Sequence, residues 1–136
     1  MKVYPLDITI FCHGMQMSGD SVRSGKSLGG SETACVQMAQ TLARKGNRPI
    51  VFCNTEKAHE DEGVEYVPIG WVKQAGGGMF PRDFLDYARS TPHDLLMVQR
   101  LPGVMSWEFK SKVNLLWQHD LATKMGPSNF HPTCWN

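Results

Sequence analysis

Apolar residues recur along the chain with two periods, one typical of strands and one typical of helices. Residues 7–14, DITIFCHG, form a short apolar and β-branched run that ends at a glycine, which predicts a buried strand. In residues 31–45 the apolar positions recur every three or four residues and Gly46 follows, so an amphipathic helix is expected. Residues 48–54, RPIVFCN, predict a second buried strand. Strand, helix and strand in this order indicate a βαβ unit.

Weaker patterns of the same two kinds continue along the rest of the chain. Three more apolar runs predict a third, a fourth and a fifth strand: 64–70, 93–100 and 113–120. Two segments are expected to be helical, the first with a proline near its start: 81–90 and 103–111. Three polar or glycine-rich segments are expected to be loops: 15–30, 56–63 and 72–79. Alternating strands and helices predict an α/β domain with a mostly parallel sheet and right-handed crossovers.

The composition narrows the kinds of partner that the protein can have. The chain of 136 residues has a formal net charge of +1 and no run of three basic residues, so nothing favours a nucleic acid or an anionic membrane surface. No segment approaches the roughly 18 apolar residues that span a bilayer. Asp7 interrupts any signal peptide. We therefore expect a cytoplasmic protein without a membrane span.

The four cysteines, Cys12, Cys35, Cys53 and Cys134, contain no C-x-x-C pair. Cys12 and Cys53 lie in predicted strands and Cys35 lies in the predicted helix, so we expect buried, reduced thiols of the kind found in a reducing compartment. His59 and its acidic neighbours are interpreted as part of a solvated loop, because adjacent side chains diverge in direction. The sequence therefore predicts no metal site.

Ligands of parallel α/β sheets bind beyond the carboxyl ends of the strands, so the residues that follow the strands are the first candidates. They are His13 after the first strand, Gln99 and Arg100 after the fourth, and His119 and Asp120 after the fifth. His13 either contributes to a site or simply ends its strand. Arg100 is suited to a phosphate, an acidic ligand or a surface ion pair. Asp120 either orients His119 or caps the next segment.

Residues 19–34, GDSVRSGKSLGGSETA, contain fragments of two phosphate-binding loops. The SGKS fragment is out of register with a Walker A loop, because Asp20 stands where that loop has its first glycine. Two glycines also follow at the place where the helix of a P-loop should begin. The G-x-G-x-x-G pattern of dinucleotide-binding proteins is absent as well. SGKS is therefore not expected to bind a nucleotide.

The second fragment, GGSE, is better placed for a ligand. Gly29 and Gly30 directly precede the predicted helix, where glycine permits a positive φ and the close approach of a ligand. The N–H groups of Ser31, Glu32 and Thr33 are expected to be free, and the helix dipole favours an anion beside them. A plain turn without a ligand is the alternative. Glu32 is either a partner of the dipole or a group that binds substrate.

Together these residues resemble the N-terminal domain of family-4 glycosyltransferases with the GT-B fold. The resemblance rests on the first strand, on GGSE, on a helix that ends in LARKG, on RPIVFCN and on the later VNLLWQHDLA, whose histidine is His119. It implies that residues 1–122 form a three-layer Rossmann-like domain with a mostly parallel sheet of about five strands, half of a GT-B architecture. Residues 123–136 are then an irregular tail, and the chain is expected to end before a nucleotide-sugar domain.

The resemblance also implies an activity and its partners. Such enzymes transfer a sugar, with retention, from a nucleotide-sugar to a sugar or lipid acceptor, without a metal or other cofactor. Gly29 and Gly30 are assigned to the loop that faces the cleft, and His119 to a position near the transferred sugar. The E-x7-E motif of the donor-binding domain has no suitable match in this chain. That domain is therefore expected in cis or in trans, and the chain alone is expected to be inactive.

Two other functions stay open at this point. The same glycine loop would serve a non-catalytic α/β domain that binds a nucleotide or a small anion. A relic of a P-loop kinase is a third, weaker hypothesis, since the SGKS fragment lacks its register.

Overall fold

The structure of the protein is a computed structural model that describes residues 5–25, 28–99 and 107–117. Within these residues the elements follow in this order: β1 (Asp7–Cys12), α1 (Gly30–Arg44), β2 (Arg48–Cys53), β3 (His59–Asp61), β4 (Val64–Pro68), β5 (Trp71–Lys73), β6 (Met79–Pro81), α2 (Arg82–Ser90), β7 (His93–Gln99) and β8 (Ser111–Trp117). The predicted βαβ unit at the start of the chain is confirmed as β1, α1 and β2.

Six of the strands form one sheet in the order β3-β4-β2-β1-β7-β8. Neighbouring strands pair in parallel except β3, which is antiparallel to β4. Counted along the chain, the five parallel strands stand in the order 3-2-1-4-5. The strand order therefore reverses between β1 and β7, and open α/β sheets bind ligands at such a switch point. Cys12 is aligned with Cys53 and with Gln99, so β1, β2 and β7 end level with one another.

Alternate side chains of β1 point to opposite faces of the sheet, and each face has its own hydrophobic core. Ile8 and Ile10 belong to the core that contains the buried residues of α1. Phe11 belongs to the core on the other face, which contains the buried residues of α2. In the described part of the chain, one helix therefore covers each face. The α/β class and the mostly parallel sheet are confirmed, whereas one helix on each face does not by itself establish a three-layer Rossmann-like domain.

Helix α1 begins and ends where its sequence permits. The N–H of Thr33 bonds to the carbonyl oxygen of Gly29 (3.1 Å) and closes the first turn. At the other end Gly46 has a left-handed φ of 93°, and its N–H reaches the carbonyl oxygen of Ala43 (3.0 Å). The predicted bounds, 31–45, are one residue late at each end.

Short strands occupy two segments that the sequence predicts to be loops. β3 lies within 56–63 and pairs with the outer edge of β4, across a turn in which Glu62 and Gly63 have φ of 54° and 78°. β5 and β6 form an antiparallel hairpin around the predicted flexible segment 72–79. Its tip contains three glycines in succession with positive φ, Gly76, Gly77 and Gly78. Each of these strands has three residues, too few to show a period.

The connection between β7 and β8 also differs from the prediction. Residues 107–110, part of the helix predicted over 103–111, are not helical. The N–H of Lys110 instead bonds to the carbonyl oxygen of Ala88 (2.9 Å), which leads the chain into β8. The fifth predicted strand is confirmed as β8 up to Trp117. The remainder of that strand and the tail 123–136 lie outside the described residues.

Candidate functional site

The N-terminus of α1 lies against the end of β7, at the switch point of the sheet. Gln99 is the last residue of β7, and its Nε2 donates a hydrogen bond to the carbonyl oxygen of Ser31 (3.1 Å) in the first turn of α1. We call the group formed by Gly29, Gly30, Glu32 and Gln99 the switch-point edge. The sequence predicted that its glycines and the end of the fourth strand would meet at one sheet edge, and the structure brings them together.

The carboxylate of Glu32 is buried within this edge. Its side chain is turned back toward the loop, and its Oε1 accepts a hydrogen bond from the hydroxyl of Ser31 (2.8 Å). A Cβ atom at Gly14 would overlap Oε1 of Glu32, and a Cβ atom at Gly29 would overlap Oε2. A side chain at either glycine would therefore displace the buried end of Glu32. Of the two roles weighed for Glu32, this geometry favours the one internal to the protein.

Gly29 and Gly30 do not use the positive φ that their sequence suggested. Gly29 has φ −68° and ψ 166°, which any residue adopts, and Gly30 is not among the glycines with positive φ. Among the described residues, a Cβ at Gly30 would meet no atom within 4 Å, so this part of the structure leaves the backbone there open. Thr33 was expected to have a free N–H, but that group is bonded to Gly29. The close approach of a ligand is thus possible at Gly30. The prediction that Gly29 and Gly30 are needed for a positive φ is wrong.

The side chain of Gln99 is fully buried, with an exposed fraction of 0%. Within the part of the chain that the structure describes, its Oε1 has no hydrogen-bond partner, although its Nε2 is bonded to Ser31. A buried amide oxygen without a donor costs about 1–3 kcal/mol, so the group calls for an explanation. The sequence marked Gln99 by its place after an apolar run and gave no sign of its burial.

The other predicted site residues are not part of the described switch-point edge. His13 is exposed and lies edge-on against Trp71, with ring centroids 5.0 Å apart, beside the core on the α2 face. Arg100, His119 and Asp120 lie outside the described residues, so their roles stay predictions.

A second feature of the same sheet edge is an open cleft of about 610 Å³ between the loops that follow β1 and β2. It is lined by residues from 16–23 and from 55–61, and we call it the β1–β2 cleft. The N–H of Met17 bonds to the carbonyl oxygen of Asn54 (3.0 Å) and ties the two loops together. The sequence treated both segments as ordinary loops. The one local sign of a strand was that His59 and Asp61 stand two residues apart, a spacing that puts both side chains on the same face of a strand.

Most of the charged and polar groups of the β1–β2 cleft are already paired. Arg23 donates two hydrogen bonds of 2.8 Å to the carboxylate of Asp61, and this contact lowers the pKa of Asp61 below its ordinary value. Nε2 of His59 accepts a hydrogen bond from the N–H of Gly19 (2.9 Å). Its Nδ1 lies 3.0 Å from the carbonyl oxygen of Lys57, so Nδ1 carries the proton. The cleft is large enough for a ligand, but the side chains best suited to bind one already bond to other groups of the protein.

Three cysteines lie beneath these loops and are buried, as predicted. Cys12 ends β1, Cys53 ends β2 and Cys35 belongs to α1. A hydrogen bond with Cys12, and then burial, raise the pKa of the Cys35 thiol. Burial raises the pKa of Cys53 to about 12. The thiols of Cys35 and Cys53 are therefore protonated and are poor nucleophiles.

The described segments contain neither a metal-binding cluster nor a membrane-spanning helix. No group of three or more His, Cys, Asp or Glu side chains among residues 5–25, 28–99 and 107–117 is arranged to hold a metal ion. No helix in the same part of the chain is long and apolar enough to cross a membrane.

Comparisons with models of known protein families, with curated proteins and with solved structures found no match for this chain.

Proposed function

We propose that this chain is the N-terminal, acceptor-side half of a retaining glycosyltransferase with GT-B architecture. The observation that carries the proposal is the opening of α1 at Gly30 beside the end of β7. This point coincides with the reversal of a sheet ordered 3-2-1-4-5, which is the strand order of Rossmann-like nucleotide-binding domains. A three-layer Rossmann-like fold, with further helices beyond the two described, is part of this proposal.

In the proposed reaction, the backbone at Gly30 contacts the phosphates of the nucleotide-sugar. Departure of a nucleoside diphosphate from a sugar leaves negative charge on phosphate oxygens, and backbone N–H groups at a helix start stabilise such charge. The open space at Gly30 lets a phosphate oxygen come close to the backbone. Glu32 places a carboxylate at the same helix end, so α1 alone is a weak anion site. A donor-binding domain, in cis or in trans, therefore supplies most of the affinity for the nucleotide-sugar.

Roles are also proposed for the remaining predicted residues. His119 is assigned to the transferred sugar, and Asp120 is assigned to orient His119. Arg100 follows directly on Gln99 and is suited to a phosphate. His13 contacts the acceptor from the α2 side of the sheet. No metal ion has a part in the proposed reaction.

Sugar transfer by the gene product that carries these residues tests the proposal. We expect a panel of radiolabelled nucleotide-sugars to include one whose sugar is passed to a saccharide or lipid acceptor. A Gly30→Val substitution should lower kcat/KM by at least about tenfold, because the new side chain fills the space that the donor phosphate needs. The thermal midpoint should not fall, since a Cβ at Gly30 touches nothing.

Gln37→Val is the matched control, because Gln37 is exposed on α1 away from its first turn. It should leave kcat/KM unchanged. Absence of transfer with every donor would refute the enzyme, and saturable binding without transfer would favour a non-catalytic nucleotide- or anion-binding domain. Robust turnover by the 136 residues alone would refute the division of the site between two domains.

A further inference from the structure

The amide of Gln99 has one satisfied end and one unsatisfied end. It closes β7 on the α1 face of the sheet, between the ends of β1 and β8. Nε2 is bonded to the carbonyl oxygen of Ser31, and Oε1 is buried without a partner in residues 5–25, 28–99 and 107–117. Buried polar side chains are normally hydrogen-bonded, and an exception calls for a ligand, a water or a functional role.

The orientation of this amide is fixed by its neighbour. If the oxygen and nitrogen of Gln99 were exchanged, Oε1 would face the carbonyl oxygen of Ser31 at 3.1 Å, acceptor against acceptor. The NH2 group would then be the unsatisfied end. The missing partner of Gln99 is therefore a hydrogen-bond donor and not an acceptor.

The switch-point edge does not provide that donor itself. The hydroxyl proton of Ser31 is donated to Glu32, and the carboxylate of Glu32 only accepts. Among the described residues no hydrogen bond reaches Oε1 of Gln99. Gly30, by contrast, opens α1, and the N–H groups of a first helical turn have no acceptor within the helix. A Cβ atom at Gly30 would meet no described atom within 4 Å. A ligand group suited to both has to donate to Gln99 and to accept near Gly30.

We propose that Gln99 is a specificity residue whose Oε1 accepts a hydrogen bond from a hydroxyl group of the ligand bound at the start of α1. A hydroxyl both donates and accepts, and it is small enough to enter a site that is covered in the free protein. The ligand class is a hydroxyl-bearing phosphate ester, that is, a sugar phosphate or the sugar part of a nucleotide-sugar. The proposal rests on the proposed function, because it takes the ligand to be a sugar donor.

Two probes separate the phosphate from the hydroxyls: glucose 1-phosphate and methyl phosphate, each titrated into the 136-residue chain and followed by ¹⁵N NMR. We expect the chain to bind glucose 1-phosphate about tenfold more tightly than methyl phosphate, as one buried hydrogen bond to a ligand allows. The side-chain NH2 signal of Gln99 should shift with glucose 1-phosphate only.

Gln99→Met supplies the matched variant, since methionine has a similar length and no acceptor oxygen. We expect it to bind both probes with the affinity that the unchanged chain shows for methyl phosphate. Its thermal midpoint should change little, because the lost bond from Nε2 to Ser31 is offset by removal of the buried unsatisfied oxygen. If it does not fold, Gln99→Leu replaces it.

Equal affinities for the two probes in the unchanged chain would overturn the role of Gln99 and leave a phosphate site at α1 standing. A preference that survives in Gln99→Met would overturn it as well, and so would failure to bind either probe. A preference that depends on Gln99 in a protein that transfers no sugar would instead refute the proposed enzyme and keep Gln99 as a ligand-binding residue.

Discussion

The switch-point edge and the β1–β2 cleft lie side by side on the carboxyl edge of the sheet and are built in opposite ways. The cleft is open and polar, and it offers about 610 Å³. Its Arg23 and Asp61 bind each other, and His59 is held by backbone groups on both sides. The switch-point edge is closed around Glu32, and no described residue donates a hydrogen bond to its buried acceptor, Gln99 Oε1.

The comparison shows that the region with the larger open volume is not the one that contains an unsatisfied hydrogen-bonding group. In a cleft whose ion pair and histidine are already satisfied, a ligand has to displace internal contacts before it gains any. At the switch-point edge a single hydroxyl satisfies a group that the fold leaves unsatisfied. For this reason the proposed ligand is assigned to the switch-point edge, whereas the paired groups of the β1–β2 cleft hold the two loops together.

The largest effect on the free energy of unfolding is expected from substitutions at Gly29 and Gly30. Gly29→Ala should lower the free energy of unfolding by roughly 1–3 kcal/mol, because its Cβ overlaps the buried carboxylate of Glu32. Gly30→Ala should be neutral or stabilising by up to about 1 kcal/mol, since alanine favours the helix and meets no atom. Urea unfolding of the two variants measures the difference.

Glu32→Ala provides the control for that pair. In its background the carboxylate is gone, so the cost of Gly29→Ala should largely disappear in a double-mutant cycle. Equal stability of Gly29→Ala and Gly30→Ala in the unchanged background would show that Glu32 is not packed against the loop.

A smaller effect is expected in the β1–β2 cleft, where Asp61→Asn removes one half of the ion pair with Arg23. The pKa of Asp61 is lowered in the folded protein, so its contribution is present above the ordinary carboxyl pKa and is lost as the pH falls through the folded value. The variant should be less stable than the unchanged chain at pH 7. The gap should close as the pH falls below about 4.

Thermal unfolding between pH 7 and pH 2 measures this gap, and added salt should reduce it because Arg23 is half exposed. Glu60→Gln is the control, since Glu60 is exposed on the same strand. A gap that does not change with pH would mean that Asp61 acts through packing and not through its charge.

Local patterns of the sequence were sufficient to predict the elements in which the hydrophobic pattern continues over many residues. Helix α1 has a continuous apolar stripe and a glycine at its end, and its bounds were predicted to within one residue. β3, β5 and β6 have three residues each and depend on a partner strand, so their sequences are too short to show a period. The two-residue spacing of His59 and Asp61 in β3 was the one local sign of a strand. The edge where Gly30 and Gln99 meet followed from topology alone, because carboxyl ends of parallel strands share one edge.

The reasons behind the site could not be predicted, because they depend on residues far apart in the chain. The space that Glu32 needs is left by Gly14 as well as by Gly29, and nothing in GGSE indicates the first of these. Arg23 and Asp61 stand 38 residues apart, and Gln99 and Ser31 stand 68 apart. Only the folded chain shows which of these side chains are paired and which are left unsatisfied.

We expect a nucleotide-sugar to contact the switch-point edge and not the β1–β2 cleft. The most direct test is a ¹⁵N NMR titration of the chain with UDP-glucose and GDP-mannose, with Gly30→Val as the variant and Gln37→Val as its control. We expect saturable shifts at Gly30, Ser31 and Gln99 that Gly30→Val abolishes and Gln37→Val preserves. Shifts confined to residues 16–23 and 55–61, or binding that Gly30→Val leaves intact, would contradict the account.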